Sequence, residues 1–300
     1  MANGVTHVVN GPGNDGEPFV LDGAPWIRVI PLRTPTLPPA TRTNCYIVGD
    51  RGRALVFDPA TPYADEQARL DAWLAAEGIA LSAIVLTHHH VDHVGDAARL
   101  AGKHGVPVWA HRETASRVAG RVHVSRTLDD GEELDVGAGR LRAVFTPGHA
   151  PGHLCFVDAT ACAIVAGDMV ASVGTIIIEP DDAGDMRLYL ESLRRLRREV
   201  DAGAACLLPA HGPPIVDGGA RLDFYVAHRL EREGRVAGAL GEAPATIEAL
   251  VPAAYPDVAP ALYPLAARSL LAHLQKLEYD GRAHRHADGR WSRAGTKESR

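Results

Sequence analysis

No apolar stretch of this 300-residue chain approaches the roughly 20 residues that a helix needs to cross a bilayer, so the sequence offers no membrane partner. The opening residues, Met1-Ala2-Asn3-Gly4-Val5-Thr6-His7, have neither the basic nor the apolar segment of a secretory leader, and a cytoplasmic location is the expectation. Cysteine is scarce. Cys45, Cys155, Cys162 and Cys206 are scattered and form no Cys-x-x-Cys pair. Three of them lie in strand-like apolar runs, which points to buried, reduced thiols. A large charge excess is missing too. The net charge of −6 supplies no overall attraction to nucleic acid or to an anionic membrane, and leaves that to local patches. No internal repeat is evident among the motifs.

What is present is the composition of an ordinary globular protein, 46% hydrophobic and 23% charged, in a length that fits one large domain with an appendage or two domains. Against that background the stretch Thr87-His88-His89-His90-Val91-Asp92-His93 stands apart, because His88, His90, Asp92 and His93 are all metal-ligand types. It follows the apolar run Leu81–Leu86, a short buried strand by its pattern, and precedes the helix-like Val94–Ala101. On extended backbone His88 and His90 project to one side, since side chains repeat every second residue. The turn into the helix offers Asp92 and His93 from another direction, so one loop can serve two metals. By the same alternation His89 is expected to point away and to take no ligand role.

Other apolar runs end in similar residues. Leu141–Thr146 ends in Pro147-Gly148-His149, Cys162–Ala166 in Gly167-Asp168, and Ala205–Leu208 in Pro209-Ala210-His211-Gly212. Glycine and proline suit sharp turns at those points. Metal and catalytic groups commonly sit on loops at the strand ends of a rigid scaffold. His153 lies on the loop that follows His149, which suits a supporting role or a structural hydrogen bond. His7, His104, His111, His123, His228, His273, His284 and His286 have no ligand context and read as surface or packing residues.

With Asp58 after the strand Ala54–Phe57, then His88/His90/Asp92/His93, His149, Asp168 and His211 in order, the chain resembles the metallo-β-lactamase superfamily over about residues 20–215. The resemblance implies an α+β fold, an αββα sandwich with the metal site on one edge. It implies that His88, His90 and His149 hold one metal, that Asp92, His93 and His211 hold the second, and that Asp168 bridges both. Asp58 is implied to orient the site without ligating. Imidazoles and carboxylates suit zinc, and iron or manganese would accept them. Two zinc ions per chain are the expectation.

Two such metals share a water and lower its pKa enough to supply hydroxide at neutral pH, while one polarises the substrate oxygen and the other stabilises the leaving group. Asp92 would hold its metal, orient the nucleophile and relay a proton. No separate general acid is visible. The implied reaction is hydrolysis of a thioester, ester or lactone, or of a phosphodiester. Asp168 resembles the glyoxalase-II-like and nuclease branches, whereas true β-lactamases of the superfamily carry Cys or Ser there. Together with the missing leader, this disfavours a genuine β-lactamase. The phrase Thr146-Pro-Gly-His149-Ala-Pro-Gly-His153 resembles the thioesterase branch, but Asp96 stands after Gly95 where a dedicated glyoxalase II has a second glycine. The chain is too short for ribonuclease Z and its larger relatives. Persulfide dioxygenases, which use one iron on a subset of these ligands, supply the oxidoreductase alternative. Flavodiiron proteins have Glu where His90 stands and a flavodoxin module that is absent here.

Residues 1–18, rich in Gly, Asn and Pro, read as a flexible lead-in and residues 19–220 as the catalytic domain. Strands are expected at Trp26–Ile30, Asn44–Val48 and Arg53–Phe57, with Thr34–Thr41 as a Pro-rich loop. Helices are expected at Asp65–Ala76, with Leu70, Trp73 and Leu74 on one face, and at Asp185–Val200. The Arg194, Arg195, Arg197 and Arg198 face of the latter suits a solvated surface. Residues 221–300 differ in texture: an amphipathic helix at Arg221–Leu240, Thr246 as N-cap of Ile247–Ala254, and a helix opened by Pro264. That helix places Leu270, Leu274 and Leu277 on one stripe, and Asp288-Gly289 then suits a hairpin turn. Helix, helix, hairpin is a winged-helix-like layout. Appended to this catalytic domain it resembles the β-lactamase-like protein 2 subgroup, whose animal members are described as single-strand endoribonucleases. Single-stranded RNA therefore stands beside a small-molecule acyl substrate as an expected partner. A winged-helix nucleic-acid-binding protein with a vestigial metal site is disfavoured, since every ligand is retained. Arg282, Arg285, Arg290, Arg293, Lys297 and Arg300 outnumber Asp280, Asp288 and Glu298 in the tail, a local excess able to contact phosphates. Oligomeric state is not legible from these residues.

Overall fold

Strands whose every residue is apolar need partners on both faces, and a layered sandwich supplies them. The computed structural model describes residues 16–137 and 139–295; most of the expected lead-in, with His7, and Lys297, Glu298 and Arg300 lie outside the described residues. The chain runs through β1 (Phe19–Leu21), β2 (Ala24–Arg33), β3 (Arg42–Asp50), β4 (Arg53–Phe57), α1 (Ala64–Ala76), β5 (Leu81–Leu86) and α2 (Val91–Val94). It continues through α3 (Ala97–His104), β6 (Val108–Ala110), α4 (Arg112–Val118) and β7 (Arg126–Thr127). These strands make a seven-stranded sheet in chain order, antiparallel as far as β4 and parallel from β4 to β7. Next come β8 (Glu133–Asp135), β9 (Arg140–Phe145), β10 (Leu154–Asp158), β11 (Ala163–Gly167), α5 (Met186–Asp201) and β12 (Cys206–Pro209). They give a five-stranded sheet in which β11 and β12 pair in parallel and the other neighbours are antiparallel.

Alternation across each strand sends neighbouring residues into different cores. Val29, Tyr46, Phe57 and Val85 meet Ala143, Phe156, Val165 and Leu208 between the sheets. There the Phe57 and Phe156 rings pack edge to face with centroids 4.9 Å apart. Ile30, Ile47, Val56 and Ile84 turn outward onto Leu70 and Leu74 of α1 and Leu100 of α3. On the opposite outer face Val144, Cys155, Ile164 and Leu207 pack on Tyr189, Leu193 and Leu196 of α5. The layering is helix, sheet, sheet, helix, the αββα sandwich expected. The cationic face of α5 is engaged on the surface, with Arg195 paired to Asp130 and Arg197 to Asp201 and Asp223.

Then follow α6 (Gly218–Ala239), α7 (Ile247–Ala254), α8 (Tyr263–Tyr279), β13 (Ala283–Arg285) and β14 (Trp291–Arg293). Thr246 Oγ1 accepts from Ala249 N–H at 3.3 Å as the N-cap of α7, and β13 pairs antiparallel with β14 around Asp288-Gly289. The long α6 serves two cores: Leu222 and Tyr225 pack with the second sheet and α5, whereas Val236 and Leu240 pack with Leu250, Leu270, Leu274 and Trp291. Among the described residues no helix is long and apolar enough to cross a membrane.

Candidate metal centre

Five strands stop at one edge of the sandwich, and the residue or short turn beyond each stop carries a polar side chain. Beyond β4 is Asp58, which takes a left-handed φ of 48°, a strained conformation for a side chain with a Cβ. Three hydrogen bonds hold it there: it accepts from Thr87 N–H at 2.8 Å, from the Thr87 hydroxyl at 2.6 Å and from His93 Nδ1 at 2.8 Å. Beyond β5 come His88 to His90 and then α2, whose first turn carries Asp92 and His93. His149 follows β9, Asp168 follows β11 and His211 follows β12. The seven residues singled out as ligands come together in two groups. His88, His90, His149 and Asp168 form one, and Asp92, His93 and His211 the other, with the offered atoms of each within 4.8 Å of one another.

The outer hydrogen bonds of the rings decide where their protons sit. The Thr87 hydroxyl donates to Asp58, so it accepts from His88 Nδ1 at 3.0 Å. His90 Nε2 donates to Asp182 Oδ2 at 2.9 Å, and His149 Nδ1 to the Ile177 carbonyl at 2.8 Å. The opposite ring nitrogens are therefore bare, and they converge. His88 Nε2 lies 2.9 Å from His90 Nδ1, and His149 Nε2 lies 3.2 and 2.9 Å from those two atoms. Three lone pairs facing one another at that range repel, and a cation between them turns the repulsion into ligation.

In the second group the inner ring nitrogens face a carboxylate instead of one another. His93 donates to Asp58 through Nδ1, and His211 donates through Nδ1 to the Arg42 carbonyl at 3.0 Å. Their Nε2 atoms lie 3.4 and 3.3 Å from Asp168 Oδ1, and His211 Nε2 lies 3.7 Å from Asp92 Oδ2. The other Asp168 oxygen, Oδ2, lies 3.5 Å from His149 Nε2. Asp168 thus faces one group with each oxygen. His93 Nε2 and Asp168 Oδ1 are buried without a hydrogen-bond partner among the described residues, which a bound metal would satisfy. The donor set fits zinc, iron or manganese. Burial pushes His88 and His149 well below the usual histidine range, which keeps both rings neutral and able to ligate. Burial alone would raise Asp168, but His211 and His93 beside it hold the carboxyl well below its ordinary value.

His153 ligates nothing here. Its Nδ1 meets the Thr146 hydroxyl at 2.8 Å and its Nε2 accepts the Asp168 backbone N–H at 3.1 Å, so it fixes the chain at that carboxylate. Gly167 makes the approach feasible, since a Cβ there would lie 2.6 Å from His153 Nε2. His89 does not follow the expected alternation. The extended backbone ends at Leu86, and His89 Nε2 and His90 Nε2 both reach Asp182 Oδ2, each at 2.9 Å. Asp182, also bound by Arg117 at 3.2 Å, is a residue that sequence reasoning missed; it lies 92 positions from His90 on a 3-10 turn with no motif around it. Thr87 was within reach, as the hydroxyl between Asp58 and the histidine cluster. A cleft of about 380 Å3 opens over the centre, walled by Pro35, Leu37, Val91 and Ile177, with Arg268 of α8 at its rim.

Residues 38–211 match the profile described as Metallo-beta-lactamase superfamily, and residues 246–291 match Beta-lactamase associated winged helix domain. The Lactamase-like protein adaB of Aspergillus niger is 33% identical over 202 residues, 66% of this chain and 58% of that protein. The Atrochrysone carboxyl ACP thioesterase AacuM of Aspergillus aculeatus is 31% identical over 199 residues, 66% of this chain and 60% of that protein. The Beta-lactamase-like protein 2 homolog of Caenorhabditis elegans is 28% identical over 247 residues, covering 81% of this chain and 72% of its own length. The chain thus spans about three fifths of the two fungal relatives. Among solved structures, a metallo-beta-lactamase family protein from Thermus thermophilus has a TM-score of 0.75 at 26% identity, over 90% of this chain and 99% of its own. A beta-lactamase domain protein from Burkholderia ambifaria has a TM-score of 0.80 at 22% identity, over 95% of this chain and 96% of its own, a likeness of fold.

Proposed function

Since the chain belongs to the metallo-β-lactamase superfamily, we propose that it is a metal-dependent hydrolase of activated acyl bonds, of the thioester, ester or lactone type. The observation that carries this is the convergence of three bare ring nitrogens on one point and of Asp92, His93 and His211 on a second, with one Asp168 oxygen turned to each. In this reading His88, His90 and His149 would hold one zinc ion and Asp92, His93 and His211 the other, with Asp168 available to both. Bound metals would supply an acidified water and a Lewis acid for the substrate oxygen.

The chain's own residues do the rest. Asp92 lines the cleft on the His211 side, where its carboxylate orients the attacking water and takes up its proton. Asp58, Thr87, Asp182 and the Ile177 and Arg42 carbonyls keep each histidine in the tautomer that presents a bare nitrogen. His153 holds the Asp168 backbone. Pro35, Leu37, Val91 and Ile177 limit water around the acyl group. We place the protein in the cytoplasm, with residues 19–220 as the catalytic unit and residues 221–300 as a unit that shapes the cleft. A small acyl substrate is preferred to single-stranded RNA because cations of the terminal hairpin are engaged within the chain. Arg282 pairs with Glu233, Arg290 with Asp288, and Arg293 donates to the Leu240 carbonyl.

The test is metal analysis of the purified protein beside an assay panel of acyl thioesters, a lactone, nitrocefin and single-stranded RNA, with His90→Ala as control. Two zinc ions per chain and turnover of thioester or lactone that His90→Ala abolishes are expected. A single iron with oxygen uptake on glutathione persulfide overturns the hydrolase. RNA cleavage that weakens with salt, without acyl turnover, transfers the assignment to an endoribonuclease.

A further inference from the structure

Beside the metal cleft lies a second cavity of about 230 Å3, formed between the loop after β11, α6 and the start of α8. Thr175 and Ile177 line both spaces, so the two share a wall. Ile177 is also the residue whose carbonyl holds His149. The first turns of α8 divide in the same way: Arg268 faces the metal cleft, whereas Leu265, Ala266 and Ser269 face the second cavity. Tyr255, Val258 and Leu262 complete an apolar lining.

His228, Arg229 and Arg232 also line it, and the hydrogen bonds of the two arginines are largely spent inside the protein. Arg232 holds both oxygens of Asp257, at 2.8 and 2.9 Å, and the Ala254 carbonyl at 2.8 Å. Arg229 donates to the Ile176 carbonyl and lies over the Tyr189 ring. An anion entering the cavity would thus find charges already neutralised, whereas an apolar group would find aliphatic and aromatic walls.

We infer that this cavity is the acyl subsite of the enzyme: it seats the remote end of an apolar acyl group while the scissile bond lies over the metal centre. The inference rests on the hydrolase reading for its orientation, but the cavity's affinity for an acyl tail is independent of turnover. It also gives the C-terminal unit a direct part in substrate choice, because Tyr255, Leu265 and Ser269 all come from it.

Two measurements on the full-length protein test this. The first is calorimetric titration of metal-free protein with S-alkyl thioethers of N-acetylcysteamine, in lengths from ethyl to decyl, which bind without reacting. Affinity rises with chain length in the wild type, and Leu265→Trp, which fills the cavity, removes that rise, with about tenfold or more lost for the long chains. Ser269→Phe repeats the measurement should Leu265→Trp melt early. The second is hydrolysis of the matching acyl thioesters by metal-loaded protein. Leu265→Trp lowers the ratio of kcat/KM for decanoyl to that for acetyl by about tenfold or more at the same metal content. Thioethers that bind the wild type and both filled variants alike, or that do not bind the wild type, overturn the subsite. Binding that depends on length and is lost in Leu265→Trp, with no thioester hydrolysed, keeps the subsite and removes the hydrolytic assignment instead.

Discussion

At the scale of single residues, the metal centre depends on atoms one bond further out than the ligands. A histidine ligates only through the nitrogen that carries no proton, and the acceptor on its far side decides which nitrogen that is. Asp182 does this for His90 while also meeting His89 and Arg117. Asp182→Ala is expected to weaken metal retention roughly 10–100-fold, read as competition against a chelator, with the melting temperature of the metal-free protein changed little. Metal retention equal to wild type would remove Asp182 from the site. Gly148, next to His149, acts through space. Its φ is 134°, and a Cβ would lie 2.2 Å from the Tyr189 backbone nitrogen. Gly148→Ala therefore strains the turn and drives His149 from α5, at a cost of about 2–4 kcal/mol, which urea unfolding would show together with lowered metal content.

At the scale of elements, α8 is the helix on which most depends. Its Leu270, Leu274 and Leu277 fill the C-terminal core, Ala272 reaches the core beneath the second sheet, and Arg268 reaches Glu179 at the cleft. His273 on the same helix is fully buried, and neither ring nitrogen has a hydrogen-bond partner among the described residues. Burial, then the charges of Arg229, Arg232 and Lys276, lower its pKa from 6.5 to about 3. Between those values the unfolded chain carries a proton on this ring and the folded chain does not, so the neutral ring favours folding above 6.5 and stability falls as pH drops below it. The expected loss is on the order of 1.4 kcal/mol per pH unit over that window. Urea midpoints of wild type and His273→Leu measured above and below pH 6.5 check this: the variant should show the flatter dependence. Parallel slopes would mean that the folded ring titrates normally.

At the scale of the whole molecule, the C-terminal unit is packed into the catalytic sandwich. Arg268 pairs with Glu179 at 3.2 Å, α6 contributes to both cores, and Ala272 joins the core of α5 and the second sheet. A chain ending at Leu240 would expose the Val236 and Leu240 end of α6 and the apolar surface under α8. It is expected to aggregate, or to melt well below the full chain, and limited proteolysis should release no stable fragment ending between residues 220 and 246. A soluble, metal-binding truncation with wild-type melting would show that the two units are independent.

Much of the candidate centre was legible because its His and Asp residues sit where strands end, and strand ends are marked locally by glycine, proline and a change of period. His88 to His93, His149, Asp168 and His211 all lie there, and a short apolar run points to each. The same local signals foreshadowed the Thr246 cap, the Leu270–Leu277 stripe and the hairpin at Asp288-Gly289. β10 was not foreshadowed: Leu154–Asp158 follows the His153 loop without a break in texture, yet it is the strand that joins β9 to β11. Nor were β6, β7 and β8, which are three residues long or shorter and exist through their neighbours rather than their own pattern. The sequence by itself pointed to a His/Asp cluster able to hold metal, since residue identity and the spacing on one loop are local properties. Only the tertiary structure decided which partners hold each ring, that His89 turns with His90 onto Asp182, and that α8 walls a second cavity beside the cleft. Those contacts join residues tens of positions apart, and the packing of layers brings them together where no local pattern could.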